Sequence, residues 1–565
     1  MVRDKFEDLI GTNYIPTEED VASIKQHISE PLARLAKLDE EIAIADAHDQ
    51  SLRQARADLL DGIEGYRRLI SPVRRVPPDI LREVFINCLP DDRNPTMSSD
   101  EAPIVLTRIS SQWRTLALTT PRLWASLHIA VPNSSPVFIG SYDPQTGERL
   151  TLSEVTEVRL AAITEWIKKA GTLPLSFSIH EHDGYPPTDF CKRFIQCILP
   201  YRARWRSINL TCVTASFLSI RDLPPAEVPM LQSLSLTLTR TSSAGEEAVW
   251  PNMPIFSAPG IRKISLGGIP TRISQFPFDW SQLTNLDIKG ESWSTTAVTS
   301  LDEIVTTLTK CPNLISCNLH IGSEPGASQR TDFPAIFLPH LEILSIFDGA
   351  RPAALYASIN APKMRKLTYT GGRPRRQLPA LPTAYALYHL LGSVGSTLEE
   401  LTANSSAFSG PDELLVGLSA CPRLKSLSIV MSHLVPPISN EDGPAAFIDR
   451  FLNSLAHISS AEEYLCPKLE VFKCASDAFF SDEALVNFVT RKQSGEDRGL
   501  TPLKTVEVLF RRRATIDVVA LLSAHTAAGL ELKLQYPPRT YRGPFSLFEG
   551  IPFTHESRDP YRQAY

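Results

Sequence analysis

The sequence predicts an α/β solenoid: short parallel strands stacked in chain order into a curved sheet with convex helices, preceded by a short helical module and a long N-terminal helix. Three observations predict it. An apolar-x-x-apolar-x-apolar signature recurs eleven times between Trp205 and Val508. Proline makes up 45 of 565 residues, against a usual share of roughly 5%, which implies many short elements rather than long continuous ones. Amphipathic segments with apolar residues three and four apart fall between the signatures, as helices covering one face of a sheet would.

In chain order, residues 1–16 are expected to be a flexible N-terminus, and 17–70 a long amphipathic helix. Thr17-Glu18-Glu19-Asp20 gives a cap with acids in the first turn. From Leu35 to Ile70, positions at alternating steps of three and four are apolar except Asp49 and Arg56. That heptad record fits either a dimerising coiled coil or a helix laying its stripe on another part of the same chain.

Residues 71–130 hold a denser pattern. Ser71-Pro72-Val73-Arg74-Arg75 precedes Val76-Pro77-Pro78-Asp79-Ile80-Leu81, where Asp79 is placed to cap a short helix. Val84, Phe85, Cys88 and Leu89 continue it, giving more apolar positions than one face holds, so the helix needs partners on two sides. A polar insert, Asp91–Pro103, separates it from Ile104-Val105-Leu106-Thr107-Arg108-Ile109, then Trp113 and Pro121-Arg122-Leu123-Trp124. This arrangement resembles the F-box, in the form found in a large set of fungal F-box proteins. It departs from that pattern at Val76 (commonly Leu), Asp79 (Glu) and Ser111 (Cys), and in its insert.

The resemblance implies a docking module without chemistry of its own. Its adaptor-facing residues would be Pro77, Ile80, Leu81, Val84, Phe85, Val105, Leu106, Ile109 and Trp113. The partners implied are a Skp-type adaptor and, through it, a cullin. The chain would then be the substrate-recognition subunit of an SCF-type ubiquitin ligase.

Residues 131–154 are expected to be a linker loop. Between Val155 and Leu175 a helix over 158–167 leads through Gly171-Thr172-Leu173-Pro174-Leu175 into the alternating Leu175, Phe177 and Ile179, an entry cap. The solenoid is assigned to 155–535. Successive anchors lie 22 residues apart at the closest (Ile261, Leu283) and 45 at the widest (Leu424, Leu469). That spread suits irregular leucine-rich repeats, whose period of roughly 20–29 residues is stretched by insertion. The last two apolar positions of each signature share one strand face, and no repeat buries that face alone. Residues 536–565 form a C-terminal tail rich in Pro, Arg and aromatics.

Positions alternating with the buried pairs point outward. Among them Lys263, Asp287, Lys289, His320, Phe347, Lys366 and Glu400 mix charge with one aromatic, the composition of a protein-binding patch. A protein client is therefore expected there, of unstated identity.

Other classes fall away. Nine cysteines stand singly with no C-x-x-C pair, so neither a zinc ribbon nor a disulfide framework is expected. Those directly before a proline (Cys311, Cys421, Cys466) read as small buried hydrophobes at the ends of convex helices. His180-Glu181-His182-Asp183 offers two imidazoles but no third ligand nearby, so it reads as a solvated loop, and no metal is expected. Arg373-Pro374-Arg375-Arg376 and Arg511-Arg512-Arg513 lack a wider basic context, and the formal charge is only −6, which gives no footing for nucleic acid. Gly371-Gly372 has no Walker lysine and no Gly-x-Ser-x-Gly motif occurs, so neither cofactor nor catalytic residue is expected. No apolar run approaches the ~18 residues of a membrane span. With no secretory leader visible, a reducing compartment is expected, cytoplasmic and/or nuclear. The alternative reading is a non-catalytic solenoid scaffold that dimerises through the N-terminal helix.

Overall fold

In the computed structural model of the protein, the described residues are 6, 9–10, 12, 14–44, 50–132, 151–181, 189–239, 252–268, 272–289, 300–322, 332–349, 352–371, 386–404, 411–430, 444–455, 465–478, 480–494, 499–510 and 512–536. They divide into two compact units, Met1–Thr271 with Gln275–Asp279, and Arg272–Ser274 with Trp280–Tyr565.

The first unit opens with two helices, α1 (Glu18–Ile44) and α2 (Gln50–Leu69), where the sequence suggested one. They fold back on each other: His27 lies 5.1 Å from Tyr66, ring to ring, and Arg56 pairs with Asp39. The heptad stripe explains the difference, because one apolar seam serves a hairpin as well as a continuous coil. Thr17 and Asp20 exchange hydrogen bonds at the start of α1, as the cap reading expected. Phe6 is buried against Ile24 and Leu69, with Leu9 and Ile10 beside it. The two arginines after Pro72 hold the terminal segment there: Arg74 donates to the carbonyls of Thr12 (2.7 Å) and Tyr14 (3.1 Å), and Arg75 pairs with Glu18.

Next come α3 (Pro78–Asn87) and α4 (Ser111–Leu118), with short 3₁₀ turns at Val105–Arg108 and Pro121–Trp124. Then β1 (Ser126–Ala130) leads to α5 (Leu152–Lys169), β2 (Leu175–His180) and α6 (Phe190–Ile198), followed by β3 (Trp205–Cys212), β4 (Ser233–Leu238) and β5 (Lys263–Gly267). Helix α5 starts inside the expected linker, closed by a capping box between Thr151 and Glu154; residues 133–150 lie outside the described residues. It ends at Gly171, whose positive φ of 59° is a conformation costly for other residues.

The five strands are parallel and in chain order, and their register aligns the predicted apolar pairs. Leu127, Phe177, Ile208, Leu234 and Ile264 form one row; Ile129, Ile179, Leu210, Leu236 and Leu266 form the next. All ten are at most 4% exposed, so each contributes about 1.5–3 kcal/mol of burial. The insert Asp91–Pro103 covers the free edge of β1. His128 N donates to Pro95 O (2.7 Å) and Asn94 Nδ2 to Ser178 Oγ (3.1 Å), while Arg93 and Thr96 grip Glu101 at 2.9 Å each. An interruption in the sequence pattern is thus the device that closes a sheet edge.

The second unit repeats the plan. Its parallel strands are β6 (Asn285–Lys289), β7 (Ser316–Ile321), β9 (Ile343–Asp348), β11 (Lys366–Gly371), β12 (Glu400–Asn404), β13 (Ser426–Val430), β14 (Val471–Ala478), β15 (Thr505–Phe510) and β16 (Glu531–Gln535). One buried row runs Leu286, Cys317, Leu344, Leu367, Leu401, Leu427, Phe472 and Val506. All eleven signatures are strands, in both units an open α/β solenoid. In the second unit three further described strands carry no full signature: β16, and the two-residue pair β8 (Ile336–Phe337) with β10 (Ile359–Asn360). The helices expected from the amphipathic segments are Leu301–Thr309, Pro411–Ser419, Pro444–Leu455 and Asp482–Gln493. No helix among the described residues is long and apolar enough to cross a membrane.

Lys492, on the last of these helices, is fully buried, its Nζ donating to Cys466 O at 2.9 Å. Burial lowers its pKa to about 8, although Cys466 opposes the shift. Between pH 8 and about 10.5 the unfolded chain therefore binds more protons than the folded one, and stability rises with pH by at most ~1.4 kcal/mol per unit from this group. Urea unfolding at pH 8.0 and 9.5 should show this gain, relative to Lys492→Met; equal slopes for both proteins would exclude it.

Candidate functional site

The helical module separates its apolar residues into two sets. Pro77 occupies the N-cap of α3 and Pro78 its first turn, where a missing N–H costs nothing. Asp79 is therefore not the cap; it sits one step inside and pairs with Arg82 at 2.6 Å. Leu81 and Phe85, four apart, turn inward and are 2% and 0% exposed. Leu106 is buried with them, and the half-buried Trp113 stands 4.7 Å from the Phe85 ring. Ser110 caps α4, accepting from Trp113 N at 3.1 Å.

Trp124 closes this small core. Its Nε1 donates to Ala117 O (2.9 Å), and its ring meets Trp166 of α5 edge-on at 4.7 Å. Trp166 Nε1 in turn donates to Ser126 O at 3.1 Å. The module is thereby fixed to β1.

Ile80, Val84 and Ile109 remain outside this core, 56%, 47% and 55% exposed, with Pro77 also exposed and Val105 half-buried. Ile80 and Val84 are successive-turn neighbours on one helix face. Of the nine residues assigned to the adaptor face, Leu81, Phe85 and Leu106 thus belong to the module's interior and support the face from beneath. Periodicity alone did not separate the two sets, since both recur every four residues.

The outward face of the second unit's strands carries the other candidates. Lys289 pairs with Asp287 (3.3 Å), which accepts from Asn318 Nδ2 (2.7 Å). His320 and Phe347 sit on adjacent strands with rings stacked at 4.3 Å and 9°. Burial lowers the His320 pKa, which favours the neutral ring at pH 7. Phe347 stays 39% exposed. Lys366 and Glu400 are register partners joined at 3.0 Å. Lys263 belongs to the first unit, opposite Ser233. Ile343, 39% exposed in an outward slot, and the Lys473–Glu507 pair (3.0 Å) extend the surface beyond the residues chosen from sequence. A large apolar residue between polar alternates was the available signal for Ile343.

In each of two charged motifs one residue is engaged by the protein. Arg512, from the Arg511–Arg513 run, binds Asp482 through both terminal nitrogens and Phe480 O through Nε and Nη2. Glu181 is 5% exposed, turned inward at the end of β2, while His180 is exposed and His182 and Asp183 lie outside the described residues. Arg373–Arg376, Gly372, Arg511 and the tail beyond Tyr536 also lie outside the described residues.

No family model matches the chain, and no curated protein matches it. Among solved structures it is similar to the crystal structure of the Rad7 and Elc1 complex in yeast, at 14% identity and a TM-score of 0.31, over 66% of this chain and 92% of that one. No role is carried over at that level of likeness.

Proposed function

We propose that the chain is the substrate-recognition subunit of an SCF-type cullin ubiquitin ligase. In this reading the α3–α4 module docks a Skp-type adaptor and through it a cullin, and the outward face of the second unit's strands captures a protein client. The observation that carries it is the division of α3. Its module has a closed core of its own, yet keeps Ile80 and Val84 about half exposed on one face, where a partner would cover them. The chain would lend no reactive group; holding the client beside a ubiquitin-conjugating enzyme raises the effective concentration, and that is the mechanism. Such a role belongs to the cytoplasm or nucleus.

Co-purification of the full chain with a recombinant Skp-type adaptor tests the reading, and absence of a complex at micromolar concentrations would sink it. Client capture is expected to centre on the His320–Phe347 stack. Phe347→Ala should lower client recovery about tenfold or more while leaving the melting temperature within a few degrees. Equal recovery would move the client site elsewhere.

The scaffold alternative needs a dimer through the N-terminal helix. The α1–α2 pair turns part of that seam inward, with Ile63 buried and Tyr66 and Ile70 packed against the Phe6–Ile24–Leu69 cluster, so light scattering is expected to give a monomer across a hundredfold range of concentration. A dimer abolished by Leu59→Ser with Ile63→Ser would favour the scaffold instead.

A further inference from the structure

We propose that Glu181, Cys191 and Cys212 form a binding site for one zinc-type divalent cation. The three residues come from different elements: Glu181 follows β2, Cys191 lies in the first turn of α6, and Cys212 ends β3. Both cysteines are 0% exposed and Glu181 is 5% exposed. Their ligand atoms all lie within 4.8 Å of one another. Ligands on a tetrahedral zinc, at Zn–S of roughly 2.3 Å and Zn–O of roughly 2.1 Å, stand roughly 3.4–3.8 Å apart. Closing the triangle onto an ion therefore takes side-chain movements of about an ångström.

The carboxylate is already oriented. Glu181 Oε2 accepts from Val213 N at 3.1 Å and from Ser216 Oγ at 3.4 Å, and Glu181 N donates to Thr211 O at 2.7 Å. These bonds do what outer-shell partners do for a metal ligand. Cys317, Cys421 and Cys474, also buried, belong to no such group among the described residues, so this pair of thiols differs from the rest. Two sulfur donors select a borderline-soft cation over magnesium or calcium. Three protein ligands leave the fourth position to water.

Binding is balanced by protons: M²⁺ meets two thiols and one carboxylate, two S–H bonds break, two M–S bonds and one M–O bond form, and two protons leave. Because two thiols must lose their protons to bind the ion, affinity should climb with pH. The sequence concealed the site because its third and fourth donors were sought within a few residues of His180, whereas the sulfurs arrive from 10 and 31 positions beyond Glu181.

The full chain, reduced with a phosphine and stripped with a chelator, is titrated with Co²⁺. The expected result is one equivalent bound, with thiolate-to-cobalt charge-transfer absorption that one equivalent of Zn²⁺ abolishes. Affinity should fall at least a hundredfold in Cys191→Ser and in Cys212→Ser and about tenfold or more in Glu181→Gln, and stay unchanged in Cys474→Ser. No charge-transfer band in the natural protein, or a band indifferent to Cys191→Ser and Cys212→Ser, overturns the proposal. If both cysteine variants fail to fold, the natural protein decides alone. Two protons released per cobalt with a two-thiolate band uphold the site, and no proton release overturns it.

Discussion

Asp482→Ala is expected to destabilise the C-terminal end of the second unit by about 3–5 kcal/mol, the cost of removing one partner from a buried ion pair. The Asp482 side chain is fully buried at the start of the helix Asp482–Gln493, beside Ser481, which caps that helix by accepting from Ala484 N at 3.1 Å. It accepts from Arg512 Nη2 (2.7 Å), Thr515 N (2.6 Å), Thr515 Oγ1 (2.7 Å) and the Tyr536 hydroxyl (2.9 Å). Arg512 lies over Phe510, and Phe510 stacks on Tyr536 at 4.6 Å. One carboxylate thus ties β15, the segment after it and the residue following β16 to a single helix end. Without it, Arg512 retains only its bonds to backbone carbonyls, and Thr515 N, Thr515 Oγ1 and the Tyr536 hydroxyl lose this acceptor.

Acid should reproduce part of the effect. Burial alone would raise the Asp482 pKa, but Arg512, Thr515 and Tyr536 together hold it well below the usual carboxylate range. The stability this group supplies is therefore complete above about pH 4 and is lost as pH falls through its depressed value. Protection factors of the β15 and β16 amides, which remove the intrinsic pH dependence of exchange, should fall below pH 4 in the natural protein and be low already at pH 7 in Asp482→Ala. Slow exchange in the variant at pH 7 would show that the end of the sheet is held by its apolar rows alone.

Much of this architecture was legible in the sequence, because the strand signature is local. Leu344 and Ile346 lie two apart and must share a face, and every parallel neighbour repeats the spacing, so register followed from pattern. What was not legible depends on contacts distant in sequence. The packing of α2 back against α1 leaves the heptad spacing of Leu35–Ile70 unaltered. The edge cover by Pro95 required knowing where β1 would lie, and the Asp482–Arg512 pair joins residues 30 apart. On the candidate adaptor face, four-residue spacing placed Ile80 with Val84 and Leu81 with Phe85, but the choice of outward and inward pairs was made by Leu106, Trp113 and Trp124. The tail strand β16 escaped notice because its Leu532 and Leu534 are only half-buried at a sheet edge, with Glu531 and Lys533 facing outward.

That outward pair gives the second large effect. Ile80→Asp with Val84→Asp puts two charges where an adaptor would bury two apolar side chains, while α3 keeps Leu81 and Phe85 in the module core. Each anchor lost from the centre of an interface costs about 2 kcal/mol or more, so the pair should weaken adaptor binding at least ~100-fold. Because both side chains are exposed in the isolated chain, the melting temperature should shift little. Leu81→Asp with Phe85→Asp would also abolish binding, but by unfolding the module, and so separates nothing. The decisive measurement is calorimetric titration of a Skp-type adaptor into the full chain and into Ile80→Asp/Val84→Asp, with thermal unfolding of both. The account predicts tight one-to-one binding, a loss of at least ~100-fold in the variant and matching unfolding curves. Binding of equal strength to both proteins, or to neither, would contradict it.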